Sequence, residues 1–271
     1  MARDSGLPQS KRDKVHQKTL KKAKKPLAVG RVLIVCEGEK TEPNYFKWWA
    51  KQLEKIKKVA NSKTVGKIEV FGDEIEVKGE GKNTKSLVKK AIELKNQAKI
   101  DYKQIWCVFD RDSFPAQNYN TAIAQAHKND FKVASSNEAF ELWYLLHFNP
   151  IETAYQREWY KNELTKCLGK EYKKNDPEMY EKLLEHSEAD QQKAIKHAKE
   201  LLKELWNTRT DYAKHNPSTT VFELVESLNE HVWLFRCEVA PNYPLPYLHD
   251  CQKEECKKTT PLAPPYLCTL S

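Results

Sequence analysis

Residues 31–46, RVLIVCEGEKTEPNYF, constrain this chain more than any other stretch. Residues 32–36 are a continuous apolar run rich in β-branched side chains, which suits a strand buried on both faces. The run stops at Glu37-Gly38-Glu39-Lys40-Thr41-Glu42. Pro43 then fits the first turn of a helix, with Thr41 or Glu42 near its cap. Tyr45, Phe46, Trp49, Leu53 and Ile56 recur at helical spacing, a stripe that reads as core rather than as a ligand platform. A strand whose carboxyl end opens through a glycine turn into a helix is where open α/β sheets build their sites. Three carboxylates there repel one another unless something positive binds. A solvated helix N-terminus would favour the same acids.

A second stretch bears on that choice. Residues 104–109, QIWCVF, form another buried-strand run, and it ends in Asp110-Arg111-Asp112. Two aspartates two apart at a turn can both face a hard cation, and magnesium takes oxygen ligands with one or two protein carboxylates. Further on, Glu138 and Glu141 open a run that is apolar almost all round, predicted as one helix from the Ser135–Glu138 cap to Phe148. Glu141 lies one turn in, and a buried acid needs a partner or a metal. Glu37, Asp110, Asp112, Glu42 and Glu141 are therefore the candidate metal ligands.

Strand-Glu37-Gly38-x-x-Thr41-Glu42 followed by strand-Asp110-x-Asp112 resembles the Toprim pattern of topoisomerases, primases and OLD-type nucleases. More closely, VCEGEKTEPNYF, VFDRDSF, SSNEAFELWYLLHF and NPSTTV resemble the RloB family of restriction-linked and AbiL-type phage-defence proteins, over about residues 28–228. The resemblance implies a Toprim-like α/β fold with a mostly parallel sheet, flanking helices and a C-terminal helical region. It implies a nuclease in which Asp110 and Asp112, with Glu37, hold Mg²⁺ or Mn²⁺, and in which Glu37 serves alternatively as general acid or base. It also implies a partner ATPase of the AAA or ABC type, RloA- or AbiLi-like.

The net charge of +8 points to nucleic acid, but nine Lys/Arg against Asp4 and Asp13 put +7 of it in residues 1–25. Lys21, Lys22, Lys24 and Lys25 close that segment, which has few large apolar residues and is expected to be disordered until it binds. It can anchor on phosphates without reading sequence, or merely solubilise. Lys40 and Lys82 are candidates to stabilise a phosphate. The Gly79-x-Gly81-Lys82-Asn83 loop lacks the spacing of a phosphate-binding Walker loop. Neither DNA nor RNA is favoured. No apolar run is long enough for a membrane span, and no leader is evident, so the expected place is the cytoplasm. Cys36 and Cys107, inside apolar runs, read as buried free thiols. A homo-oligomer is compatible with the sequence.

The chain divides on this reading into a basic tail (1–27), a Toprim-like α/β domain (28–150), a helical region packing on it (151–230), and an irregular tail with cysteines and prolines (231–271). Between 31 and 148, strand and helix patterns alternate, as in a parallel sheet with right-handed crossovers. From 151 to 229 no strand pattern is visible, and Asn216–Thr220 is expected to cap a last helix. In the tail, His249, Cys251 and Cys256 are too loosely spaced to specify zinc. The competing function is a non-catalytic nucleic-acid-binding or regulatory subunit of an ATPase defence complex. A third reading, nucleotidyl transfer as in primases, would use the same carboxylates.

Overall fold

The structure is a computed structural model that describes residues 30–61, 67–72, 84–99, 101–112, 115–205 and 211–245. The basic segment, Lys82 and the cysteine-containing end, with its zinc candidates, lie outside the described residues. The order is β1 (Arg31–Cys36), α1 (Thr41–Ala60), β2 (Lys67–Gly72), α2 (Thr84–Gln97), β3 (Tyr102–Asp110), α3 (Ala116–Lys128) and β4 (Lys132–Asn137). There follow α4 (Glu141–Leu145), α5 (Arg157–Cys167), α6 (Met179–Glu185), α7 (Gln191–Leu205), β5 (Ser218–Thr219) and α8 (Val221–Val239). The sheet runs β2-β1-β3-β4-β5, with the first four strands parallel and β5 antiparallel to β4. The expected α/β class, mostly parallel with flanking helices and a C-terminal helix, is what the chain forms.

The two faces of the sheet explain the unbroken apolar runs. Leu33, Val35, Ile105, Cys107 and Phe109 pack toward α2 and α3, with Leu87, Val88, Ala91, Tyr119 and Ala122. Val32, Ile34, Cys36, Trp106 and Val108 pack on the opposite face, against a larger layer built from α1 and α4–α8. The period of two along each strand therefore sends alternate residues into two cores, and both are apolar. The aromatic stripe of α1 is core, as expected. Trp49 stacks on Tyr180 at 4.7 Å and 18°, and its Nε1 donates to Asn229 Oδ1 at 2.8 Å. Cys36 and Cys107 are buried free thiols, and burial pushes Cys107 up to about 12.

Three expectations are corrected. Ser135-Ser136-Asn137 does not open a helix. These residues finish β4, pairing Phe109 with Ser135 and Asp110 with Ser136, and α4 is confined to five residues. The Asn137 amide donates instead to the Ala213 and His215 carbonyls, at 3.1 and 2.7 Å. Second, Ser218–Thr219 is a strand within the stretch expected to have none, joined by Ser136 Oγ and Thr219 Oγ1 at 3.0 Å. Thr220 ties α8 to β4, accepting from the Ser135 N–H at 2.9 Å, and makes no side-chain cap. Third, the stretch after 231 is not irregular at its start, because α8 continues to Val239 and buries Val232, Trp233 and Phe235. Among the described residues no helix is long and apolar enough to cross a membrane.

Candidate active site at the carboxyl end of the sheet

Neighbouring strands β1 and β3 end side by side, and the Glu37 N–H continues their ladder by donating to the Val108 carbonyl at 2.9 Å. That register brings Glu37 beside Asp110, whose backbone N–H donates to the Glu37 carboxylate. One turn on, Glu42 sits in the first turn of α1 and is buried. Gly38 makes this possible. A Cβ there would lie 2.4 Å from Glu42 Oε2, so the carboxylate folds over a bare backbone. Lys40, at the helix start, is exposed and makes no cap.

The D-x-D turn is held from the β4 side. The Arg111 N–H donates to the Ser136 carbonyl at 2.8 Å, and the Asp112 N–H to the Glu138 carbonyl at 3.1 Å. Asp112 takes φ +42°, a left-handed conformation that Asp tolerates better than most residues. Asp110 Oδ2 accepts from the Phe140 N–H at 3.0 Å and from Arg157 at 3.1 Å. Arg157 also donates to Asp112 Oδ2 at 3.2 Å, so one guanidinium spans both aspartates. Glu141, 1% exposed, accepts from the Tyr172 hydroxyl at 3.3 Å. The sequence candidates Glu37, Glu42, Asp110, Asp112 and Glu141 thus gather at one end of two adjacent strands.

The electrostatics record the crowding. Burial pushes Glu37 up to about 7, and the Glu42 charge adds to it. Burial also raises Glu42, reinforced by Glu141 and opposed by Lys174 and Arg157. Asp110 is raised well above the ordinary carboxylate range by burial, then by Glu42, against the pull of Arg157. Arg157 is itself held in its charged form by Asp110, Glu141, Asp112 and Glu42, which outweigh its own burial. Four carboxylates acting on one guanidinium leave negative charge over. Its Nε is buried with no hydrogen-bond partner.

Residues 32–228 match the family model for RloB-like proteins. The chain belongs to the RloB-like family. No curated protein and no solved structure matches it. In this RloB-like chain the match runs from β1 into α8, so it includes the carboxylates, Arg157 and β5.

Arg157 is the residue that sequence reasoning missed. It opens α5 in a stretch of mixed Lys and Glu that reads as a solvated face, and only the fold brings it 47 residues back to Asp110. The NPSTTV motif of this RloB-like chain builds β5 and its junction with β4, and at the start of α8 Thr219 Oγ1 accepts from the Val221 N–H at 3.2 Å. The donor set is all oxygen and carries excess negative charge, and that chemistry fits a hard divalent cation. As the side chains stand, no three His, Cys, Asp or Glu groups among the described residues converge on one ion position. Arg157 bridges the D-x-D instead.

Proposed function

We propose that this RloB-like protein is a divalent-metal-dependent phosphodiesterase acting on nucleic acid, with a Toprim-like arrangement of carboxylates, in defence against phage. One observation carries the reading. Glu42, Asp110 and Glu141 are buried together beside half-buried Glu37, against the single spanning guanidinium of Arg157. Burying that much like charge is costly, and a bound divalent cation would offset it.

Asp110, Asp112 and Glu37 would hold Mg²⁺ or Mn²⁺, with Glu42 and Glu141 available behind them. Such an ion polarises a phosphoryl oxygen and stabilises the leaving oxygen. The chain's own groups supply the rest. The Phe140 N–H fixes the Asp110 carboxylate, and the Asp112 backbone is pinned to Glu138. Glu37, near 7, can accept or give a proton at neutral pH, as a general acid or base must. The Arg157 guanidinium, 24% exposed in its side chain, is placed to neutralise phosphate charge next to the D-x-D. Lys40 stands exposed at the mouth of the same end.

The test is cleavage of plasmid DNA and total tRNA by the purified chain with Mg²⁺ or Mn²⁺, then with EDTA, alone and with the RloA- or AbiLi-like ATPase expected as partner. Cutting that needs metal and is lost in Asp110→Ala/Asp112→Ala is the expected result. Equal cutting by the double variant refutes the assignment. One observation favours the non-catalytic alternative, a regulatory or nucleic-acid-binding subunit of an ATPase complex. The Arg157 bridge already occupies both aspartates. Tight binding without cutting in any metal would support that alternative.

A further inference from the structure

The amino ends of the strands carry an oppositely charged hollow. An open cavity of about 560 Å³ lies where β1, β2 and β3 begin and α2 ends. Arg31, Lys57, Lys67 and Lys99 line it, and Leu94 and Tyr102 supply apolar wall. The Arg31 guanidinium sits 4.5 Å from the centre of the Tyr102 ring and is ion-paired with Glu69. Lys67 reaches the same Glu69 at 3.4 Å, and Lys57 Nζ is 3.1 Å from Glu54. Among the described residues Glu69 pairs with Arg31 and Lys67, Glu54 pairs with Lys57, and Lys99 makes no ion pair. Burial, then Lys103 and Lys57, hold His231 down to about 4.

The carbonyl end of α2 attracts cations on its own account and explains a lysine such as Lys99. Lys57 stands likewise in the last turn of α1, but neither helix end explains Arg31 and Lys67, which come from β1 and β2 and turn toward the same hollow. The hollow is also where the chain arrives from its most basic segment. Arg31 follows residues 1–25, with their nine Lys/Arg against two Asp, after only a short connection. A hollow and a segment of like charge, joined in sequence, suit a long polymer of regularly spaced negative charges. Lys and Arg on such a polymer position it without reading bases.

We infer that this hollow docks the phosphodiester backbone of a nucleic acid, roughly 20 Å along the strands from the acidic end. The choice of nucleic acid over another polyanion rests on the catalytic reading. The basic hollow does not.

The experiment uses the full chain in EDTA and measures anisotropy of a labelled 30-base-pair DNA duplex and of labelled tRNA. Lys57→Gln/Lys67→Gln/Lys99→Gln should bind at least one of them about tenfold more weakly than the unaltered chain. On the duplex, the slope of log affinity against log salt should fall by about 2–3, as three lost phosphate contacts require. Lys170→Gln/Lys193→Gln/Lys196→Gln, the same charge change on exposed lysines elsewhere, should change either by less than threefold. No effect of the first triple, or an equal effect of the second, overturns the inference. Polyglutamate of matched charge that depends on the same three lysines as strongly as the nucleic acid overturns the choice of partner. Because metal is absent, binding through these lysines by a chain that never cuts would sustain this inference while removing the catalytic one.

Discussion

At the carboxyl end of the sheet, Glu42, Asp110 and Glu141 are 6, 8 and 1% exposed, and Arg157 spans the two aspartates of the turn. At the amino end, Lys67 is 55% exposed in its side chain and its partner Glu69 is shared with Arg31. The difference is in hydration for Lys67 and Lys99, which are exposed, whereas Arg31, Glu69 and Lys57 are only 15, 12 and 17% exposed in their side chains. Charges taken out of water are costly and matter individually, whereas charges left in water act through their number. One end therefore responds to single substitutions and to cations, and the exposed lysines of the other to net charge and salt.

The largest separation between the ends is expected in catalysis. Asp110→Ala/Asp112→Ala should lose metal-dependent cutting by at least about 100-fold, roughly 3 kcal/mol of barrier. The lysine triple should keep kcat within about twofold at saturating nucleic acid and raise KM. A lysine triple that abolishes kcat would erase the distinction.

Next comes stability without metal. Arg157→Ala leaves Asp110 and Asp112 without their guanidinium, and half-buried Arg157 makes that cost on the order of 2 kcal/mol, below the range for fully buried pairs. Lys67→Gln at the other end, 55% exposed in its side chain, should cost less than about 0.5 kcal/mol. Thermal melts in EDTA check both. Added Mg²⁺ should restore much of the Arg157→Ala loss if a cation can take the place of the guanidinium. Equal melts for the two variants would mean that burial does not distinguish the ends.

What could be read from sequence follows the same division. Glu37 and the D-x-D were legible because each is local: a β-branched apolar run, then acids where the run stops. Glu141 was legible as a charge isolated on an apolar helix, and it is buried. Arg157 was not, since nothing within α5 distinguishes it from a solvated charge. The extent of β4 was missed because Ser135–Asn137 are held by β3 and Thr220, not by their own propensity. The two-residue β5 exists only through its pairing with Ser136 and Asn137. The basic hollow draws on residues from Arg31 to Lys99, which no window of sequence brings together.

A smaller effect is expected at Gly38. Gly38→Ala would place its Cβ against the Glu42 carboxylate, the far end of a side chain that can shift but is buried. A cost of about 1 kcal/mol follows from that overpacking. Metal affinity, followed by titration calorimetry with Mn²⁺, should weaken severalfold if Glu42 belongs to the ion's surroundings. An unchanged affinity would remove Glu42 from the site while leaving Asp110 in it.

The finest test of the comparison is titration, because the two ends should respond to pH with opposite sign. Glu37 is raised to about 7 in the folded chain, so between its ordinary range and 7 the folded state holds more protons than the unfolded one. Stability in EDTA should fall there as pH rises. His231, held near 4 by burial and then by Lys103 and Lys57, binds fewer protons folded than unfolded between 4 and its ordinary 6.5. Its contribution is present above 6.5 and is lost as pH falls through that window. Buried His147, also held near 4, acts in the same direction. Without a divalent cation, stability should therefore peak in the mildly acidic range. Glu37→Gln should flatten the decline on the alkaline side, and His231→Gln part of the decline on the acid side. Melting temperatures from pH 4.5 to 8 measure both limbs, and a Glu37→Gln variant that keeps the alkaline decline would show that Glu37 is not the group whose proton is lost.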